Sequence, residues 1–227
     1  MNVAVVTVGN ELLSGDTINT NAAWLGAKLS ERGADVERIT VVPDRVADIA
    51  RVVNEYYAEY DAVVVTGGLG PTHDDVTMDG VAAAFGRGLA ANDAVLEQLT
   101  GDGGYAASDL TDGTTEIPTR SRPLHNEEGV APGCVVESVY VLPGVPSEMK
   151  SMFESIADEF DGEPSYVEVV RTTEPENALL DRIEAVRDRF DVSVGSYPGE
   201  EVRLKLVGSD PETVEFAAAW LRERVER

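Results

Sequence analysis

Two adjacent carboxylates, Asp74 and Asp75, follow a loop that carries Gly67, Gly68 and Gly70. Glycines let the backbone come close to a ligand. Acidic side chains beside such a loop would repel a phosphate held on its amides. The conflict disappears if a divalent cation lies between them, because hard metals such as magnesium bind through one or two carboxylates plus substrate phosphates. The pair therefore points to a metal-assisted phosphate or pyrophosphate site. The plainer alternative is that Asp75 caps a helix and the glycines form a tight turn.

The surrounding pattern supplies the elements that must hold this loop. Ala62 to Val65 is an apolar, β-branched run that reads as a buried strand, and Thr66 opens the loop. After Pro71 and Thr72, Thr77 begins a stretch with Val81, Ala84 and Phe85 in helical register. Strand, glycine loop and helix start together present N–H groups and a helix N-terminus to an anion. Upstream, Asn2–Val8 and Val36–Val42 read as strands. A helix led in by Asn19, Thr20 and Asn21 runs to about Gly33, and another covers Arg45–Ala58. This order predicts an α/β fold, a doubly wound and mostly parallel sheet. Ligands bind beyond the carboxyl ends of such strands. The Gly9–Gly15 segment, expected as a loop, then shares a rim with Thr66–Asp75, and Glu11 becomes a candidate third carboxylate.

Downstream, Asp93–Leu99 reads as a short helix and Gly101–Thr115 as a mobile loop or poor helix. Strands are expected at Cys134–Val136 and Val139–Leu142. The second ends in Pro143-Gly144-Val145-Pro146, where Ser147 could cap a helix with Glu148 in its first turn. Cys134 sits in an apolar run and reads as a small core residue. His73 and His125 have no neighbour at metal-ligand spacing and read as incidental. Near Gly162–Ser165 the chain changes character. Residues 1–162 form one expected domain, and 163–227 a small β-α-β-β-α domain with helices at Glu176–Phe190 and Pro211–Arg224.

Composition excludes several classes of function. Of 227 residues, 42 are acidic and 18 basic, giving a net charge of −24 that opposes nucleic-acid binding. The acids are spread along the chain and lysine occurs only at 28, 150 and 205, as in proteins of salt-loving microbes. A single cysteine leaves no internal disulfide and no cysteine-cluster metal site. No apolar run is long enough to span a membrane. Met1-Asn2 leads straight into a strand, so a cytoplasmic protein is expected.

Thr66-Gly-Gly-Leu-Gly-Pro-Thr-His-Asp-Asp-Val-Thr77 closely resembles the signature of the molybdopterin-binding (MoaB/MogA-like) superfamily, in particular its CinA N-terminal branch and the N-terminal domain of eukaryotic FAD synthase. His73–Thr77 with Gly80–Gly86 looks most like the latter. Gly9–Gly15 with Asn19–Asn21, Asn126–Gly133 and Leu142–Met149 resemble further family motifs, with Asn10 where threonine or aspartate is common. The last domain resembles the KH-like domain of CinA. It has no Gly-x-x-Gly loop and is not basic, so sheet pairing or self-association is expected of it rather than RNA binding. The deamidase domain that ends full-length CinA is not expected here.

The resemblance implies phosphate or nucleotide contacts from Gly9, Asn21, Thr66, Gly67, Gly68, Gly70, Thr72, Thr77, Asn126, Gly133 and Gly144. It also implies a divalent cation (magnesium, manganese or cobalt) at Asp75, Asp74 and Glu11, which are the catalytic candidates. Three functions follow. The first is a metal-dependent pyrophosphatase acting on ADP-ribose or FAD. The second is molybdopterin binding or adenylyl transfer in molybdenum-cofactor synthesis. The third is a non-catalytic nucleotide-binding oligomer. No lysine or arginine lies between Glu55 and Arg87. A transferase that gathers two phosphorylated partners would need more cationic charge, so the hydrolase is favoured.

Overall fold

The computed structural model describes residues 1–101, 103–106, 110–111, 113–162 and 165–226. Cα packing divides them into two compact units, one of residues 1–30 and 34–161, the other of residues 31–33 and 162–227.

The first unit begins with strand β1 (Asn2–Val8), the short helix α1 (Asn10–Ser14), helix α2 (Thr20–Glu31), strand β2 (Asp35–Val42), helix α3 (Val46–Glu59) and strand β3 (Ala62–Thr66). Helix α4 (Thr77–Ala84), strand β4 (Leu89–Ala91), helix α5 (Asp93–Thr100) and strands β5 (Glu116–Pro118), β6 (Arg122–Leu124), β7 (Gly133–Val136) and β8 (Val139–Leu142) follow. Helix α6 (Pro146–Ile156) and a 3-10 turn at Ala157–Phe160 close the unit.

The six-stranded sheet has the order β2-β1-β3-β8-β7-β6. Its first four strands are parallel, and β7 and β6 extend it by antiparallel pairing. Strands β1, β3 and β8 are apolar but for Asn2, Thr7 and Thr66, and all their residues except Asn2 are buried, as strands inside a parallel sheet must be. Alternate residues of β1 serve opposite cores. Ala4, Val6 and Val8 pack with Ile49, Val52 and Val53 of α3 and with Val81 and Val95. Val3 and Val5 pack with Leu25 and Leu29 of α2 and with Met149, Phe153 and Phe160. Helices therefore cover both faces, and the sheet is doubly wound as expected.

This winding fixes the site. β1 continues to β2 on one side, and the chain then crosses to β3 on the other. The crevice lies where the direction reverses, beyond the carboxyl ends of β1 and β3. The parallel register aligns Thr7 with both Val41 and Thr66, and Thr66 with Leu142. The segments beginning at Gly9, Pro43, Gly67 and Pro143 consequently share one rim.

Three local readings are corrected. The segment after β1 is helical at Asn10–Ser14 and ends in left-handed Gly15, φ 81°. Ser147 does not cap α6; Val145 holds that position in extended conformation and Pro146 starts the helix, since a proline needs no N–H partner there. Strands β4, β5 and β6 were not foreseen, each being only 3 residues long and too short for a period to register. Of the expected 101–115 loop, residues 102, 107–109 and 112 lie outside the described set.

The second unit contains strand β9 (Tyr166–Thr172), a 3-10 turn at Glu176–Ala178, helix α7 (Leu180–Arg189), strands β10 (Ser193–Tyr197) and β11 (Val202–Gly208), and helix α8 (Pro211–Arg222). The expected helix at 176–190 is thus broken at Leu179. The antiparallel sheet β10-β11-β9 packs Val170, Val194, Leu204 and Leu206 against Leu179, Val186, Ala217 and Leu221. Asp210 caps α8, accepting from the Thr213 N–H at 2.9 Å.

Candidate functional site

The rim of the first unit is built by side chains that tie its loops together. Asn19 accepts from the Ala22 N–H at 3.1 Å in the first turn of α2 and donates to Thr7 Oγ1 at 2.9 Å, fixing that helix to β1. Asn21 donates to the Gly144 carbonyl at 2.8 Å. Thr66, buried at the end of β3, donates to the Pro143 carbonyl at 2.6 Å. These bonds draw the segments after β1, β3 and β8 into one surface.

Two clefts meet on that surface. The smaller, about 240 Å³, is lined by Gly9, Glu11, Asn21, Asp44, Thr66, Gly67, Gly68, Asp74, Asp75 and Gly144, among others. The larger, about 860 Å³, is bounded by Gly68, Gly70, Thr72, Asp75, Gly144 and Glu148 with the apolar Leu69, Met78, Val130, Pro132 and Val145. Gly68, Asp75 and Gly144 belong to both.

Close packing sets the loop's conformation. Gly67 (φ 110°) and Gly68 (φ 60°) lie where side chains are strained. A Cβ on Gly67 would stand 2.2 Å from the Val8 carbonyl oxygen, so the β1 and β3 loops touch there. Two other glycines seat carboxylates. A Cβ on Gly9 would lie 2.5 Å from Glu11 Oε1, and one on Gly70 would lie 2.7 Å from Asp75 Oδ2. Both acids fold back over a bare Cα.

Thr72 organises the acidic pair. Its hydroxyl lies 2.5 Å from Asp74 Oδ1 and 2.5 Å from Asp75 Oδ2, and its N–H donates to Asp75 at 3.1 Å. The hydroxyl contact, aided by a backbone N–H, holds the Asp74 carboxyl below its ordinary range. Asp75 is not the cap of α4. That position belongs to Val76, and Asp75 closes the turn on Thr72 instead.

Asp44 is a fourth carboxylate at the small cleft, accepting from the Asn10 N–H at 2.8 Å. The rim rule that brought Gly9 and Thr66 together would have found it, because it stands just past the end of β2. Among the described residues, no lysine, arginine or histidine lines either cleft. The donor set is all hard oxygen, which suits magnesium or manganese rather than a soft metal. Among the described residues no three histidine, cysteine or acidic side chains are placed to hold a metal alone. A cation here would complete its shell with water and substrate phosphate oxygens. One polar atom at the small cleft fits a ligand: the buried Asn21 Oδ1 has no hydrogen-bond partner among the described residues.

Three expected contacts lie elsewhere. Gly133 is buried within β7, where a Cβ would meet Met152 and the Val141 carbonyl; packing requires it. Asn126 is buried with its side chain bonded to protein groups. Thr77 is wholly buried beneath Gly68. Cys134 is a core residue whose thiol burial pushes up to about 12, so it is no nucleophile. His73 is exposed, and His125 lines a separate hollow beside Gln98 and Asn126.

Residues 4–161 match the family described as "Probable molybdopterin binding domain", and the chain belongs to that family. Within it, the chain is of the CinA type. A crystal structure of CinA from Thermoplasma acidophilum is 39% identical, covers 70% of this chain and 97% of that one, and superposes with a TM-score of 0.65. A CinA-like protein of Frankia casuarinae is 41% identical over 165 residues, 67% of this chain and 38% of its own length. An Archaeoglobus fulgidus protein is 40% identical across 98% of this chain and 97% of its own.

Proposed function

We propose that the protein is a metal-dependent pyrophosphatase that cleaves the diphosphate of a dinucleotide-like molecule such as ADP-ribose or FAD. The observation carrying this reading is the meeting of a small, carboxylate-lined cleft and a wide, largely apolar one at Gly68, Asp75 and Gly144. With ADP-ribose, a diphosphate at the junction would leave the adenosine in the wide cleft and the small polar ribose in the other. The adjacent Asp75 and Asp74 would hold the cation, with Glu11 and Asp44 on the same cleft facing the water and phosphate that complete its shell. When bound, a divalent cation neutralises the diphosphate and makes a bound water acidic enough to attack it. The chain's own part is placement. Gly70 and Thr72 fix Asp75, Gly9 makes room for Glu11, and the glycine loop brings backbone amides toward developing negative charge.

The test is product analysis. ADP-ribose or FAD incubated at high salt with divalent metal should yield AMP, EDTA should stop its release, and added metal should restore it. A second reading, binding of a pterin phosphate, is favoured by the family match over residues 4–161. AMP that appears only when molybdopterin and ATP are supplied together would establish that reading instead.

A further inference from the structure

Glu148 stands in the first turn of α6, half-buried at the wall of the wide cleft. Everything around its carboxylate fixes it. Asn126, 3% exposed, donates from Nδ2 to Glu148 Oε2 at 2.7 Å and to the Ala131 carbonyl at 2.9 Å. Asn126 is itself held, its Oδ1 accepting from the Glu128 N–H and its carbonyl from Gln98 Nε2, both at 3.2 Å. On another side the carboxylate packs over Gly129, where a Cβ would lie 2.5 Å from Oε2. Immobilising a glutamate costs rotamer freedom. Among the described residues that line the cleft there is no lysine, arginine or histidine to pair with it.

An ionised carboxylate only accepts hydrogen bonds. This wall therefore repels phosphate and calls for a neutral donor. The apolar side chains of Leu69, Met78, Val130, Pro132 and Val145 around it suit a flat ring or a sugar face. A neutral donor beside an apolar ring describes a nucleoside.

We propose that Glu148, positioned by Asn126, is the specificity residue of the wide cleft, accepting hydrogen bonds from the adenosine half of the substrate. The donor is the ribose 2′-hydroxyl or the amino group of the base. The inference rests on the dinucleotide reading of the site.

The test is equilibrium binding, with divalent metal, of the non-hydrolysable α,β-methylene analogue of ADP-ribose, its inosine counterpart and its 2′-deoxyadenosine counterpart. Wild-type protein should bind the parent about 10–100-fold more tightly than one counterpart, the value of a hydrogen bond to a charged group. The inosine arm reports the amino group and the deoxy arm the hydroxyl. Glu148→Gln keeps the shape but presents an amide N–H₂ to the cleft once Asn126 holds its oxygen. It should lose a similar factor on the parent and no longer separate parent from counterpart. Wild type binding all three within threefold, or Glu148→Gln discriminating as well as wild type, overturns the inference while leaving the substrate class intact. Wild type that fails to bind the parent at millimolar concentration overturns both. If Glu148→Gln does not fold, the wild-type comparison decides alone.

Discussion

Gly68 and Thr77 are joined across the candidate site. The Thr77 N–H donates to the Gly68 carbonyl at 3.2 Å, and a Cβ on Gly68 would stand 2.5 Å from Thr77 Oγ1. The loop is thereby sewn to the first turn of α4. The glycine is required by two independent facts, its φ of 60° and the threonine against its Cα.

Substitutions at Gly68 and Gly70 should consequently part ways. Gly68→Val combines a left-handed backbone with a clash and should cost about 2 kcal/mol or more of stability. Gly70 has no such φ, and its missing Cβ faces only the Asp75 carboxylate. Gly70→Ala should stay within about 1 kcal/mol of wild type while displacing Asp75, with AMP release falling at least tenfold. Thermal melts and turnover on both variants check this; equal stability losses in the two would show that Gly70 is purely structural.

Asp75→Asn should remove metal-dependent turnover by about 100-fold or more, several kcal/mol of transition-state stabilisation, with an unchanged melt. The Thr72 N–H can still donate to the amide oxygen, so the turn survives. Wild-type rates in a folded Asp75→Asn protein would take the metal role away from this residue.

A net charge of −24 makes the chain repel itself. The Debye length falls from about 10 Å at 0.1 M salt to about 3 Å at 1 M. The thermal midpoint should climb over that range, and a flat midpoint would refute the expectation.

The second unit should weaken in acid. Glu174 pairs with Arg182 at 2.5 Å and accepts from the Glu226 N–H at 2.7 Å. The Arg182 contact first, and that N–H second, hold its carboxyl below the ordinary 4.5. A depressed carboxylate contributes stability that is complete above its unfolded value and is lost as pH falls through the folded one. Melts of wild type should therefore decline below about pH 4.5, and those of Glu174→Gln should decline less. Identical acid limbs would remove Glu174 from the account.

The doubly wound sheet was legible because β1 and β3 are apolar runs with hardly any alternation and the helices between them show clear faces. The rim followed from that topology, which is how Glu11 and Asp75, 64 positions apart in the chain, could be placed together. Asn126 shows where motif reading stops. Its resemblance to a family motif marked it as a contact, but only the packed structure shows its side chain spent on Glu148 and Ala131. Asp44 left no local mark at all, since one acid among 42 carries no signal until the end of β2 is aligned with the end of β1. The three-residue strands β4 to β6 are set by partners distant in sequence, which no local pattern records.

Thr72 places one hydroxyl between two carboxylates, 2.5 Å from each. A hydroxyl has a single proton to give. At any instant one aspartate receives it and the other faces a lone pair. When either acid is drawn away the proton passes wholly to its rival, while the Asp75 N–H bond to the Thr72 carbonyl at 3.0 Å keeps the turn closed. The loop is thus wired like a two-way contact, its hydroxyl able to serve whichever carboxylate stays.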